Sequence, residues 1–459
     1  MLPIDFDSKQ RSWYSFIVFF FKVGTGPIQI TSPMASVELE ETPSETVRKV
    51  EVNGGGGGGG GSKTSEKSKK KKKKKEKDKN GAYRYYMSKL GFGCVRLRTE
   101  YDKEGNFDME VVDGDGQRRN PTHLVIMVNG LIGSAENWRY AAKQFLKRFP
   151  EDVIAHCSEC NTSKLTFDGV DIMGDRLAEE VISVIKRHPG VQKISFVGHS
   201  LGGLVTRYVI AKLYGRDVRR EFAQENGECG SDGSEDPCPE EKFKGKIAGL
   251  EPMNFITFAT PHLGSRGHKQ VPVFCGFYTM EKVASRASWL LGRTGKHLFL
   301  TDRDNGKPPL LLQMANDCED LKFISALQSF KRRVTYANVR YDQLVGWSTS
   351  SLRRRDELPK HCHRSKDDKY RHIVNVETAE TSSRQQEVLL EAKVNGFQNI
   401  DLEEQMLRGL TKVTWERIDV NFSGTKQRCL AHSTIQVNRY CINSAGADVV
   451  HHMIDNFLL

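Results

Sequence analysis

A serine set between a strand and a helix is the residue in this chain best equipped for chemistry. The residues Gly198-His199-Ser200-Leu201-Gly202-Gly203 follow an apolar run, 194–197, and precede a second, 204–213. A G-x-S-x-G turn in that context strains the serine backbone and needs glycine on either side, so that strand and helix do not collide. The hydroxyl is expected to stand exposed, and the N–H groups at the helix start point at any oxyanion formed there. These are the parts of a nucleophile for acyl transfer.

Such a serine needs a base, and the base an orienting acid, in the chain order serine, acid, histidine. Residues 333–339 read as a strand, and Asp342 stands just past its carboxyl end, where the acid belongs. Its bland alternative is a turn aspartate capping the next segment. Asp356 and Glu357 compete from a polar segment, 353–372, that reads as solvated. Six histidines follow Asp342. His361, His363 and His372 fall in that charged loop. His451 and His452 fall on a final helix with the apolar stripe Val449, Val450, Met453, Ile454, Phe457 and Leu458, and both read onto its polar face. His432 follows the last strand, 415–422, through a loop and is the expected base, with His452 the alternative. The oxyanion needs two backbone N–H donors. Leu201 follows the nucleophile, and Leu131 lies in the glycine-containing turn Asn129-Gly130-Leu131-Ile132-Gly133 after the first apolar strand.

The elements that must position these residues read as alternating strands and helices. His123 to Val128 is a continuous apolar run, as in a strand buried on both faces. Asn137 is placed to cap a helix over 138–148, 153–156 is the next strand, and 171–186 is a helix with Leu177, Val181, Val184 and Ile185 at helical spacing. A further strand covers 255–259. The pattern predicts a mostly parallel central sheet with helices on both faces and the active site at the carboxyl ends of its strands. An acidic Gly- and Ser-rich insertion, 216–241, reads as a surface loop. Residues 268–326 read as an apolar helical excursion, either a lid or acyl-binding cap or plain packing helices.

The chain has 459 residues and a net charge of +11. Residues 62–80 hold eleven lysines against three acidic groups and so carry +8 of that charge. The basic balance therefore describes a tail and not a nucleic-acid-binding fold. With the glycine run 54–61 before it, residues 1–82 read as a disordered arm, and 83–459 as the folded domain. The lysine run from Lys69 to Lys75 is a candidate contact for anionic membrane, against a solvated arm without partner. The apolar island 13–23 is shorter than the roughly 20 residues a transmembrane helix needs, and translation starting at Met34 would remove it. Ten cysteines without a compact framework suggest reduced thiols in the cytoplasm. Cys157 and Cys160 have zinc-like spacing, as does Cys362 between His361 and His363, but nothing sets one pair beside the other. No metal and no cofactor is expected.

The segments HLVIMVNGLIGSAENW, SFVGHSLGGLVTRYVIAKLY, NFITFATPHLGSRG and AHSTIQV resemble the lipase-like serine esterase family of α/β-hydrolases, especially its plant members. The likeness spans about 120–459. It implies an α/β-hydrolase fold and cleavage of lipid or other acyl esters by Ser200, Asp342 and His432. Many relatives carry His-Gly where this chain has Asn129-Gly130. An acyltransferase would use the same residues, and a non-catalytic α/β-hydrolase shell tethered to membrane is the contrasting class.

Overall fold

The computed structural model describes residues 96–101, 107–112, 120–225, 244–265, 291–303, 306–360, 368–378 and 402–459. The arm 1–82, the later part of the acidic insertion and residues 268–290 of the helical excursion lie outside the described residues.

Nine strands among the described residues form one sheet: β1 (Arg96–Tyr101), β2 (Phe107–Val112), β3 (His123–Val128), β4 (Val153–Cys157), β5 (Lys193–His199), β6 (Glu251–Phe258), β7 (Arg332–Asn338), β8 (Ile373–Glu377) and β9 (Glu416–Val420). Their spatial order is β1-β2-β4-β3-β5-β6-β7-β9-β8. From β4 through β9 the neighbours are parallel, and β1, β2 and β8 are antiparallel additions at the two edges. Parallel neighbours need crossovers, and the connections carry helices: α1 (Arg139–Arg148), α2 (Val170–Arg187), α3 (Leu201–Leu213), α4 (Val218–Glu225), α5 (Gly292–Leu298), α6 (Phe323–Ser329) and α7 (Leu402–Leu410), while α8 (Ala447–Asp455) follows the last strand.

Side-chain alternation along the strands divides the core in two. Leu124, Ile126, Ile194, Phe196 and Phe255 face α2, α3, α6 and α7 on one side. Val125, Met127, Val197, Ile256 and Tyr336 face α1 and α8 on the other. This is the α/β-hydrolase fold, a mostly parallel sheet covered on both faces.

Several local readings change. Residues 218–225 of the acidic insertion form α4 instead of loop. Asn137 does not cap α1. It sits in a 3-10 turn, Ala135–Trp138, and its Oδ1 accepts the Ser134 N–H at 2.9 Å. The segment from Arg353 is not uniformly solvated. Arg353 is buried, and its guanidinium meets Asp419 of β9 at 2.9 Å and Glu377 of β8 at 2.8 Å. Within the helical excursion, Leu298, Leu311, Phe323 and Ile324 are buried in the core cluster that includes α3.

Candidate active site

β5 ends at His199 and α3 begins at Leu201, so Ser200 alone makes the turn, with φ 54° and ψ −126°. Non-glycine residues seldom hold positive φ unless the frame around them fixes it. Here Ser200 N–H donates to Phe258 O at 2.8 Å, and Gly203 N–H to Ser200 O at 3.1 Å. The flanking glycines are a steric requirement. A Cβ on Gly198 would lie 2.7 Å from Gly203 N, and one on Gly202 would run into Val128 O. Ser200 keeps 8% of its surface exposed. Most of that enclosure comes from the end of β6, which takes the Ser200 N–H, and from the turn after β3, whose Gly130 abuts the Ser200 Cβ.

Asp342 and His432 are brought together from elements 90 residues apart. His432 lies in a one-turn helix, Ala431–Thr434, and its Nδ1 is 3.1 and 3.0 Å from the two Asp342 carboxylate oxygens. A proton on Nδ1 shared with that carboxylate leaves Nε2 as the basic nitrogen. Asp342 also accepts from Asn338 Nδ2 at 2.8 Å and from the N–H groups of Leu344 and Val345 at 3.0 and 2.9 Å. It thus caps its own turn as well as meeting the histidine. Burial pushes its carboxyl up, but the charge and hydrogen bond of His432, with the Asn338 amide and the Val345 N–H, outweigh this and hold it below its ordinary value. Among the described residues no hydrogen bond joins Ser200 Oγ to His432. In free enzymes such bonds commonly tighten only with substrate.

His199 was not singled out as a functional residue by its sequence context, although it precedes the nucleophile directly. Its Nε2–H donates to the His432 carbonyl at 2.7 Å, and the two rings lie 4.7 Å apart. Burial first, and then the neighbouring His432, lower its pKa to about 3. It therefore stays a neutral donor that anchors the backbone of His432.

His199 is one of several buried neutral histidines. Burial also lowers His123 to about 3 and His452 to about 4. In the unfolded chain each returns to about 6.5 and takes up a proton that the fold refuses, so their contribution is complete above that pH and is lost as pH falls toward 3 to 4. Each pH unit in that window costs about 1.4 kcal/mol per histidine. Urea midpoints should hold steady above about pH 7.5 and fall steeply between about pH 6 and 4. A midpoint that is flat down to pH 4 would show that these rings are not held neutral.

The turn after β3 abuts the serine, since a Cβ on Gly130 would lie 2.9 Å from Ser200 Cβ. Among the described residues neither Leu131 N–H nor Leu201 N–H has an acceptor. Asn129 donates from Nδ2 to Gly130 O at 3.1 Å and to Asn161 O at 3.0 Å. It pins the turn through side-chain hydrogen bonds to the backbone.

Other candidates lie elsewhere. His452 is not on a polar face: it is buried, with Nδ1 2.9 Å from Tyr336 Oη and its ring against Tyr370. His451 is exposed. His372 pairs with Asp448 at 2.9 Å, Glu357 with Arg354 at 2.6 Å, and Asp356 is exposed. Cys157 is buried in the core, and Cys160 lies against Ser158 and Asn161. His361, Cys362 and His363 lie outside the described residues.

A family model described as "Putative serine esterase (DUF676)" matches residues 118–352, which include Ser200 and Asp342 but end before His432. "Putative lipase ROG1" of Saccharomyces cerevisiae is 31% identical over 241 residues, covering 50% of this chain and 28% of that protein. "Putative lipase YDL109C" of the same yeast is 27% identical over 235 residues, covering 50% and 30%. The chain thus spans under a third of the length of these curated relatives. Among solved structures, a butyrate-bound esterase of Thermogutta terrifontis matches over 80% of this chain and 94% of that one, with 11% identity and a TM-score of 0.36.

Proposed function

We propose, from the premise that this chain belongs to the DUF676 family of putative serine esterases, that it cleaves acyl esters of lipids through Ser200, His432 and Asp342. The observation that carries this reading is the His432–Asp342 pair, with the His432 carbonyl held by His199, the residue directly before a strained serine. His432 Nε2 takes the hydroxyl proton as Ser200 Oγ attacks the ester carbonyl, and Asp342 stabilises the imidazolium. Leu131 and Leu201 N–H groups bind the oxyanion. The C–O bond to the alcohol breaks, and the alcohol leaves with the proton from His432. Water, deprotonated by His432, then attacks the acyl-serine and releases the acid. Every step uses side chains and backbone of this chain.

Lipid as substrate class is supported by apolar side chains beside the turn after β3. Leu165, next to the Thr166 that takes the Ile132 N–H, is 42% exposed, and Leu131 and Ile132 are half-buried. The test is reaction of the purified chain with a fluorophosphonate, followed by turnover of p-nitrophenyl esters from acetate to palmitate. Labelling with preference for longer acyl groups is the expected result. Folded protein that neither labels nor cleaves would move the reading to a non-catalytic shell.

No helix among the described residues is long and apolar enough to cross a membrane. We assign contact with anionic membrane to Lys69 through Lys75, which lie outside the described residues, because each lysine near such a surface contributes about 1 kcal/mol. Sedimentation with phosphatidylserine vesicles should be strong at low salt, weaken as salt rises, and be lost when the seven lysines are replaced by glutamine. Equal sedimentation by both forms would remove the lysine run from the account.

A further inference from the structure

The turn after β3 reaches Ser200 through Gly130, and the three peptide N–H groups that follow, at 131–133, are distinguished by their hydrogen bonds. Gly133 N–H donates back to Gly130 O at 3.0 Å. Ile132 N–H donates to Thr166 Oγ1 at 2.9 Å. Only Leu131 N–H has no acceptor among the described residues. We propose that Thr166 is a positioning residue for ester hydrolysis: by taking the Ile132 N–H, it fixes the turn in the one orientation that leaves Leu131 N–H for the oxyanion. This rests on the serine-esterase reading above.

Three observations support the assignment. Ile132 is β-branched and yet has φ 56°. Such a conformation persists only where its surroundings impose it, and such outliers concentrate at functional sites. The Gly133-to-Gly130 bond makes Ile132 the third residue of a tight turn, and the Thr166 hydroxyl takes the N–H of that strained residue. The hydroxyl proton is committed to Ser163 O at 2.6 Å, so a lone pair is left for Ile132. Finally, Thr166 is itself held from two sides. Ser163 N–H donates to Gly133 O at 3.1 Å, which joins the 3-10 turn Ser163–Phe167 to the far end of the oxyanion turn. On the other side Thr294 of α5, wholly buried, donates its hydroxyl to Thr166 O at 2.8 Å and accepts the Gly169 N–H at 3.0 Å. A solvent-facing loop threonine would need none of this support. Thr166 is 1% exposed.

Thr166→Val keeps the shape and removes the acceptor, whereas Thr166→Ser keeps the acceptor. Loss of an oxyanion donor outright costs about 10²- to 10³-fold in kcat. A donor that is loosened but not removed should cost less, so Thr166→Val is expected to lower kcat about 10- to 100-fold, with KM changed less than about threefold. Its affinity for a trifluoromethyl ketone, which places an oxyanion in the same position, should fall in parallel. Thr166→Ser should stay within about threefold of wild type on both measures. Should Thr166→Val fail to fold, Thr166→Ala makes the same deletion with less bulk. Wild-type kcat in the folded valine or alanine variant would overturn the assignment alone. So would equal losses in the valine and serine variants, or a loss confined to KM. A wild-type chain that cleaves no ester would overturn the esterase reading, and this assignment with it.

Discussion

Ser200→Ala should yield a folded protein that takes up no fluorophosphonate and whose kcat for ester cleavage is reduced about 10⁴- to 10⁶-fold. The fold should survive because backbone and glycines, and not the hydroxyl, hold the turn: Ser200 N–H bonds to Phe258 O and Gly203 N–H to Ser200 O. Alanine at φ 54° carries the same backbone strain as serine, so stability should stay within about 1 kcal/mol of wild type. Residues that act as one unit give non-additive losses. Ser200→Ala/His432→Ala should therefore be hardly worse than Ser200→Ala alone. Mass spectrometry of the labelled wild type should place the adduct on Ser200. An adduct that persists in Ser200→Ala would sink the assignment of the nucleophile.

How legible these residues are in the sequence depends on how local their causes are. The serine turn is legible because strand, glycines and helix are contiguous, and a steric rule connects them. Asp342 is legible for a similar reason, since β7 ends four residues earlier, at Asn338. Arg353 is not, because its burial depends on Asp419, 66 residues away on another strand. β1, β2 and β8 are the outer, antiparallel strands of the sheet, and their short patterns do not distinguish them from loop until β4 and β9 are there to pair with β2 and β8. His452 shows the limit of helical periodicity. His451 and His452 lie about 130° to either side of the centre of the α8 stripe, so spacing treats them alike. Tyr336 and Tyr370 then cover the His452 side, while His451 stays exposed. Thr166 and His199 act through hydrogen bonds to backbone atoms of Ile132 and His432, and such contacts leave no mark on residue spacing.

That same asymmetry gives the assignment of the base its sharpest test, in which activity and stability should separate across three histidines. His432→Ala should lose about 10⁴-fold or more in kcat while the fold holds, because Asp342 keeps Asn338 Nδ2 and two backbone N–H groups as partners. His452→Ala should do the opposite. It deprives a buried tyrosine hydroxyl of its 2.9 Å partner and opens a gap beside Tyr370, costing about 1–3 kcal/mol of stability with kcat near wild type. His451→Ala, on an exposed ring whose contact with Tyr140 is a long 3.4 Å, should change neither by much. Asp342→Asn should resemble His432→Ala in activity, since an amide can hold the ring in the wrong tautomer and cannot stabilise the imidazolium. Its carboxyl is held below the ordinary range in the native protein, so at neutral pH the comparison is between a carboxylate and an amide. If kcat collapses in His452→Ala at unchanged stability while His432→Ala stays active, the base belongs on α8, and the His432–Asp342 bond serves only to fasten the loop after β9 to the loop after β7.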